Sequence, residues 1–448
     1  MIKNNILALA LVLLPLVCGA RERSLSLQEC LEISKSGNKD VINADLDTRI
    51  ARAQRQETFA LWFPKVSAGA FGFKFHDPMV KIGLNDVLGS TDAANNLKYY
   101  TQTIAGMSGI NTEWTMLGNG YLGAINIVQP LFAGGRIASG NALAALGVKA
   151  SDVKRELAMR ENEDVVVRKY WGVVSLAEKK KALEQGLELI HSLENDVNAA
   201  YEAGVVRESD VLQVRLKAKE LVSQMRRLCS GERLAKMDLF NCIGMEYRVL
   251  ELDDITLSDG LESLLPPENY RQDEIAKAAS LEESRLLEMS VEAKKLEKKM
   301  AVGEGLPQVS IGASGAYMKI IGDPRPNASV YAMVTIPLSD WSKTARKIKR
   351  AQYEVDKAQN EKDYLDKQLV LKISKDWMDL QCAWDQKEAA EESVRLSELI
   401  ESQKKEEYEA GLCTISELLQ CQTGLQSARS AYVDALVEYS NALETWKQ

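Results

Sequence analysis

Two segments of this chain, each about ten residues long, alternate strictly between two sets of side chains, the signature of half-exposed strands. After Pro64, Val66, Ala68, Ala70, Gly72 and Lys74 alternate with Ser67, Gly69, Phe71, Phe73 and Phe75. After Pro307, Val309, Ile311, Ala313 and Gly315 alternate with Ser310, Gly312, Ser314 and Ala316. Strands rich in glycine and aromatic residues at this length are the form that crosses an outer membrane. A second strand is expected in each region, Tyr121 to Gln129 and Ala328 to Ile336, ended by Pro130 and Pro337 because proline cannot donate to the ladder.

Helical periodicity follows each strand pair. Ala138 to Ala203 contains no proline and only Gly140, Gly147, Gly172 and Gly186 as weak breakers, and Thr344 to Ala410 has neither glycine nor proline. At 1.5 Å per residue, about 65 residues make a helix of roughly 100 Å, which calls for helical partners. The seams are legible. Leu183, Leu187, Ile190, Val197 and Tyr201 lie on one stripe, and Val211, Val214, Ala218, Leu221, Met225 and Leu228 on another. Leu418, Leu425, Tyr432, Tyr439 and Trp446 recur every seven residues, with Cys421, Ala428, Ala435 and Ala442 between them. Heptads of this kind pack left-handed.

The chain repeats itself. Tyr201-Glu202-Ala203-Gly204 returns as Tyr408-Glu409-Ala410-Gly411, Pro130-Leu131 as Pro337-Leu338, and Tyr170 has its aromatic counterpart in Trp377, all at an offset of 207 residues. Further upstream Pro64 answers Pro307 at an offset of 243, so the first copy carries 36 extra residues within its strand pair. This loop, 76–111, is polar and turn-rich, with Asn85-Asp86, Gly89-Ser90-Thr91-Asp92 and Asn95-Asn96, and is expected to cap one end of a barrel with Tyr99-Tyr100 over its mouth. Residues 21–243 form a first repeat with strands at about 66–130, 244–268 an irregular segment, and 269–448 a second repeat with strands at about 307–337. Ser26-Leu27-Gln28-Glu29 opens a helix as a capping box, and Ser36-Gly37-Asn38 breaks it.

Composition narrows the function. Residues 1–20 read as a signal peptide, with Lys3 before an apolar run and small residues before the cleavage point after Ala20. Lipid attachment at Cys18 is the alternative. No later stretch is long and apolar enough for a membrane helix. A net charge of −8 without a basic stripe argues against nucleic acid. Cys30, Cys229, Cys242, Cys382, Cys413 and Cys421 match no zinc spacing and no disulfide framework, and His76 and His191 are the only histidines. No hydrolase or phosphate-cradling motif is present, and Asp253-Asp254 reads as turn chemistry. The chain is expected to be no enzyme and to need no cofactor.

The opening Leu25-Ser26-Leu27-Gln28-Glu29-Cys30-Leu31, then Asn43-Ala44-Asp45, the Pro-x-Val-Ser strand starts, Gln129-Pro130-Leu131-Phe132-Ala133-Gly134-Gly135-Arg136 and the two Tyr-x-x-Gly tips together resemble the TolC-like outer-membrane efflux proteins. The resemblance implies a mainly helical chain: a long-helix α-barrel joined to a β-barrel shared by three copies, four strands from each. Physics alone requires sharing, because four strands cannot close and hide their edges. The resemblance chooses the homotrimer, a periplasmic adaptor and an inner-membrane pump or exporter as partners, and the outer membrane of a Gram-negative bacterium with its lipid as the location. It also implies a gate at the helix tips, where Tyr408 and Glu417 fall on gate positions of the second tip and Asp210 on the matching position of the first. Many relatives carry an arginine where this chain has Cys413, so Arg207 is the candidate substitute. Gly204 with Val205 and Gly411 with Leu412 are the expected adaptor-docking turns. A periplasmic coiled-coil scaffold without a pore is the alternative.

Overall fold

The computed structural model describes residues 23–76, 80–83, 87, 92–108, 113–116, 119–247, 252, 255–258, 264–319, 324–338 and 341–447. The expected leader with Cys18, the turns at Asn85-Asp86 and Gly89-Ser90-Thr91, and Asp253-Asp254 lie outside these residues. The chain divides into two compact units, one of residues 1–48, 151–286 and 363–448 and the other of 49–150 and 287–362.

The second unit holds a four-stranded antiparallel sheet in the order β2 (Lys65–Lys74), β5 (Asn119–Ala133), β7 (Gln308–Lys319), β8 (Arg325–Thr335). Within one chain the sheet is open, with β2 and β8 as its edges. The strands reflect the alternation in the sequence, and the register lines up like with like. Val66, Ile127, Ala313 and Val330 are successive partners across all four strands, and one residue along, so are Ser67, Asn126, Ser314 and Ser329. Adjacent residues point to opposite faces, so one face carries an apolar row and the other a polar row.

Two expectations are corrected here. Pro130 does not end its strand: β5 continues to Ala133, and the pairing with β7 shifts register between Pro130 and Phe132. A bulge lets a residue without an N–H remain in a ladder. The 76–111 loop is not a run of turns. A two-stranded ribbon, β3 (Val80–Gly83) with β4 (Glu113–Met116), carries a helix, α3 (Asp92–Ser108), and Tyr99 and Tyr100 lie exposed on it, edge to face.

The long helices run Arg136–Glu202 (α4) and Trp341–Glu409 (α8), and each returns in a shorter partner, α5 (Glu208–Ile243) and α9 (Ile415–Lys447). In the first unit the duplication appears as two cores. One gathers Val166, Val167, Tyr170, Val173 and Val174 of α4 with Leu239, Phe240 and Ile243 of α5 and with Leu25 and Cys30. Leu25 ends β1 (Arg23–Leu25), which pairs in parallel with β6 (Ile255–Leu257), and Cys30 lies in α1 (Leu27–Gly37). The other core gathers Ile373, Trp377 and Leu380 of α8 with Tyr439, Leu443 and Trp446 of α9. Tyr170 and Trp377, paired by the sequence offset, are buried in equivalent cores. The hydroxyl of Tyr170 donates to the Leu25 carbonyl at 3.1 Å, and the Trp446 indole N–H to the Tyr270 carbonyl at 2.7 Å, so neither aromatic is buried with an unmet donor. Ser26 and Glu29 form the expected capping box, and Asn38 closes α1 while its side chain caps α2 (Lys39–Phe59).

α6 (Glu274–Ser280) leads into α7 (Glu282–Glu304), whose first turn is tied to α4 by a partly buried ion cluster. Arg160, 16 % exposed, reaches Glu282 and Glu283 at 2.6 Å each. Burial works to raise the Glu283 carboxyl, but the hydrogen bond and charge of Arg160, the local backbone N–H and Lys372 outweigh it and hold it below its ordinary value. Removing one member strands the rest, so Arg160→Ala is expected to cost about 2–3 kcal/mol, below the range for fully buried pairs because both carboxylates retain some solvent. A carboxylate held low in the folded state contributes its full stability above the ordinary pKa and loses it as pH falls through the folded value. The gap between wild type and variant in denaturant midpoint should therefore be full at neutral pH and close on acidification below about pH 4.

Candidate functional site

The two helical turns are built alike from local backbone rules. α4 ends in a Schellman motif: Gly204 sits at φ 74°, its N–H bonds the Tyr201 carbonyl and that of Val205 bonds Ala200, both at 2.9 Å. α8 ends the same way, with Gly411 at φ 72°, Gly411 N–H to Tyr408 at 2.9 Å and Leu412 N–H to Glu407 at 2.7 Å. Both glycines supply the left-handed conformation that other residues resist. In such motifs the residue after the glycine commonly packs back on the helix. Here it does not: Val205 is 78 % and Leu412 79 % exposed.

The returning helices start with matched acids, and the structure gives those acids a local role. Thr414 and Glu417 form a full capping box, each side chain accepting the other's backbone N–H at 3.3 Å. Asp210 performs the acid's half for α5, accepting the Arg207 N–H at 3.2 Å. The Arg207 guanidinium has no lone pair to return the favour, so the first box is half made. Arg207 thus meets Asp210 through its backbone, and its side chain is exposed.

Behind the turns the two hairpins share one core. Leu183, Ile190, Leu193 and Val197 of α4, Val211, Val214, Ala218 and Leu221 of α5, and Ile415, Leu418 and Leu419 of α9 pack together, with Tyr408 half-buried against them. The repeats differ here, since Tyr201, the counterpart of Tyr408, is 45 % exposed despite its place on the apolar stripe. Burial, then the charge of Asp210, raises the Tyr408 phenol above its usual range and keeps it a neutral hydrogen-bond donor. Cys413 occupies the position where an arginine was expected from the resemblance, and its thiol donates to the Lys404 carbonyl at 3.3 Å. Of the expected gate residues, the structure brings Asp210 and Tyr408 near one another and leaves Glu417 on the surface.

Sequence reasoning missed the polar clasp above this core. Arg429 of α9 reaches Glu398 of α8 at 2.9 Å and donates to Gln185 of α4 at 3.2 Å, while Arg215 of α5 pairs with Glu194 of α4 at 3.4 Å. Nothing in the sequence pattern marks one arginine on a polar helix face above the others.

The comparisons with known proteins agree with this architecture. Residues 287–448 match the family model described as outer membrane efflux protein. The chain carries an outer membrane efflux protein domain on a TolC-like fold. That domain covers the second repeat's strands and its long hairpin, and the fold likeness extends over nearly the whole chain. A membrane protein from Pseudomonas aeruginosa superposes with a TM-score of 0.74 at 16 % identity, over 94 % of this chain and 92 % of that one. The Campylobacter jejuni CmeC outer membrane channel gives 0.73 at 15 %, over 93 % and 84 %, and the Vibrio cholerae outer membrane protein VceC 0.72 at 12 %, over 94 % of both. No curated protein matches the sequence. The domain's family is one of outer-membrane proteins, and no helix among the described residues is long and apolar enough to cross a membrane.

Proposed function

We propose that three copies of this chain close one twelve-stranded barrel in the outer membrane of a Gram-negative bacterium and form an exit duct, fed at the helix turns by an inner-membrane pump through a periplasmic adaptor. The observation that carries this reading is the sheet of the second unit. Its edges β2 and β8 are free within one chain, one face bears the apolar row Val66, Ile127, Ala313 and Val330, and the other bears the row Ser67, Asn126, Ser314 and Ser329. An open sheet cannot stand in lipid, because its edge N–H and C=O groups would go unsatisfied. Closure by neighbouring copies satisfies them, places Val66, Ile127, Ala313 and Val330 toward lipid, and lines a wet interior with a ring of hydroxyls and amides. Proteins of the same fold are described as outer membrane channels, those of CmeC and MtrE among them, which supports the conduit over a poreless scaffold. The four exposed turn residues Gly204, Val205, Gly411 and Leu412 suit an adaptor that reads backbone and small apolar groups.

Two measurements test it. Native mass measurement in mild detergent should give three copies, and planar bilayers should show single-channel conductance. Within the channel, Ser314→Cys should lose most of its conductance on reaction with a bulky charged thiol reagent, whereas Ala313→Cys, one residue along and facing lipid, should not respond. A soluble monomer without conductance, or blockage at 313 and not at 314, would overturn the reading.

A further inference from the structure

Charge is divided unevenly between the two units. Residues 49–150 and 287–362 carry 22 Lys and Arg against 14 Asp and Glu, a formal +8, within a chain that is −8 overall. The excess is concentrated where helices meet strands. The last turns of α7 hold Lys294, Lys295, Lys298 and Lys299, and the first turns of α8 hold Lys343, Arg346, Lys347, Lys349 and Arg350. These runs are apposed. Lys347 pairs with Glu304 at 2.5 Å, Lys298 hydrogen-bonds Gln352, and Lys294, Lys347 and Arg350 line a shared cleft with Glu297 and Glu354. Glu297 is engaged by Lys294 at 2.9 Å and Glu304 by Lys347, and the charge of Glu354 also acts on Lys294, so the cleft's carboxylates face its own bases. Lys295, Lys299, Arg346 and Arg350 are exposed and form no ion pair among the described residues.

A cluster that repels itself and spends its few acids internally is destabilised unless an anion covers it. Its position identifies the anion. α7 ends at Glu304 and β7 begins at Gln308, and β8 ends at Thr335 before α8 begins at Trp341. The patch therefore adjoins the strand ends, where the chain also exposes Phe59, Trp62, Phe63 and Phe132. Exposed aromatics at strand ends form the girdle that sits at headgroup level in transmembrane barrels, and basic side chains just outside such a girdle meet lipid phosphates.

We propose that the α7–α8 patch binds anionic phospholipid headgroups of the leaflet nearest the helices, fixing the depth of the barrel. This rests on the membrane reading of the strands and adds a lipid preference to it. The test compares the intact protein in neutral detergent micelles doped with phosphatidylglycerol, with phosphatidylcholine, or with inorganic phosphate at equal phosphate concentration. Phosphatidylglycerol alone should raise the apparent Tm of the wild type and remain bound in native mass spectra. The fourfold variant Lys295→Gln, Lys299→Gln, Arg346→Gln and Arg350→Gln should bind it more weakly by on the order of a thousandfold and lose the Tm rise. Lys295→Arg with Lys299→Arg, which keeps the charge, should bind as the wild type. Equal responses to the two lipids, an equal response to inorganic phosphate, or an undiminished response in the fourfold variant would overturn the proposal. So would a fourfold variant whose ion selectivity changes in bilayers while its lipid binding does not, since the patch would then face the duct. In each case retained conductance leaves the channel reading standing.

Discussion

Gly134→Ala is expected to be, with Gly244→Ala, among the costliest single methyl additions to the described part of this chain. Gly134 sits at φ 63° in the link between β5 and α4, and a Cβ there would lie 2.1 Å from the Gly303 carbonyl oxygen. The approach is mutual, since a Cβ on Gly303 would meet the Gly134 oxygen at 2.3 Å and the Arg136 side chain at 2.8 Å. Backbone cannot swing aside as a flexible side chain can, so the link or the end of α7 must move. Left-handed strain of about 1 kcal/mol adds to overpacking of about 1–3 kcal/mol, for a total of roughly 2–4 kcal/mol. The same crossing recurs in the first unit, where Gly37 and Gly244 would each place a Cβ 2.2 Å from the other side's backbone oxygen. Gly147→Ala is the matched control. It lies within α4 with nothing within 4 Å of its Cβ, so the same methyl should stabilise by about 0.5–1 kcal/mol. Urea denaturation of the two variants should order them this way, and equal destabilisation at 134 and 147 would show that the close approach is not a constraint.

These crossings mark where sequence reading stops. The glycines of Ala133-Gly134-Gly135-Arg136 were visible as part of a motif, but their partner at 303 lies in another repeat and follows no periodicity. The seams, by contrast, were legible nearly residue by residue, because burial along a long helix is a periodic demand. Val197, Val214, Leu418 and Trp446 are buried as the stripes required. Tyr201 departs from its stripe, 45 % exposed at a turn where its counterpart Tyr408 packs half-buried on the shared core. α3 is hidden in the sequence because Asn95-Asn96 and the turn signals before it read as loop. Its stripe of Leu97, Tyr100, Ile104 and Met107 has helical spacing, but it is exposed in the chain and so lacks the burial that makes a pattern persuasive.

The acids at the tips have a local role that the resemblance does not convey. Thr414-Ile415-Ser416-Glu417 has the same form as the capping box Ser26-Leu27-Gln28-Glu29, so its glutamate caps α9 whatever it does at the entrance. The glycine ends one helix and the acid starts the next, and these are separate demands on the backbone.

Neutral amides at the two tips are expected to change how the channel conducts while leaving its stability almost untouched. Asp210→Asn and Glu417→Gln keep an acceptor oxygen for the backbone N–H groups of Arg207 and Thr414, so the helix starts survive. Alanine at both sites removes the acceptors as well and should lower stability by about 1 kcal/mol at each tip. Charge and cap are thereby separated. In the proposed trimer the two acids bring six carboxylates to the entrance, and like charges confined together attract cations and resist close approach. The amide double variant should therefore lose cation preference in bilayers and open less readily, with wild-type trimer level and thermal midpoint. The buried phenol of Tyr408, relieved of the Asp210 charge, should titrate at lower pH in that variant, because removing a nearby anion favours the ionised form. Gly204→Leu and Gly411→Leu act elsewhere: each forces a branched side chain into φ above 70° and displaces an exposed turn residue, Val205 or Leu412. Those variants should lose export in cells while the isolated channel still conducts. An amide double variant with wild-type selectivity, beside an alanine variant that is only less stable, would reduce Asp210 and Glu417 to helix caps and move the gate elsewhere.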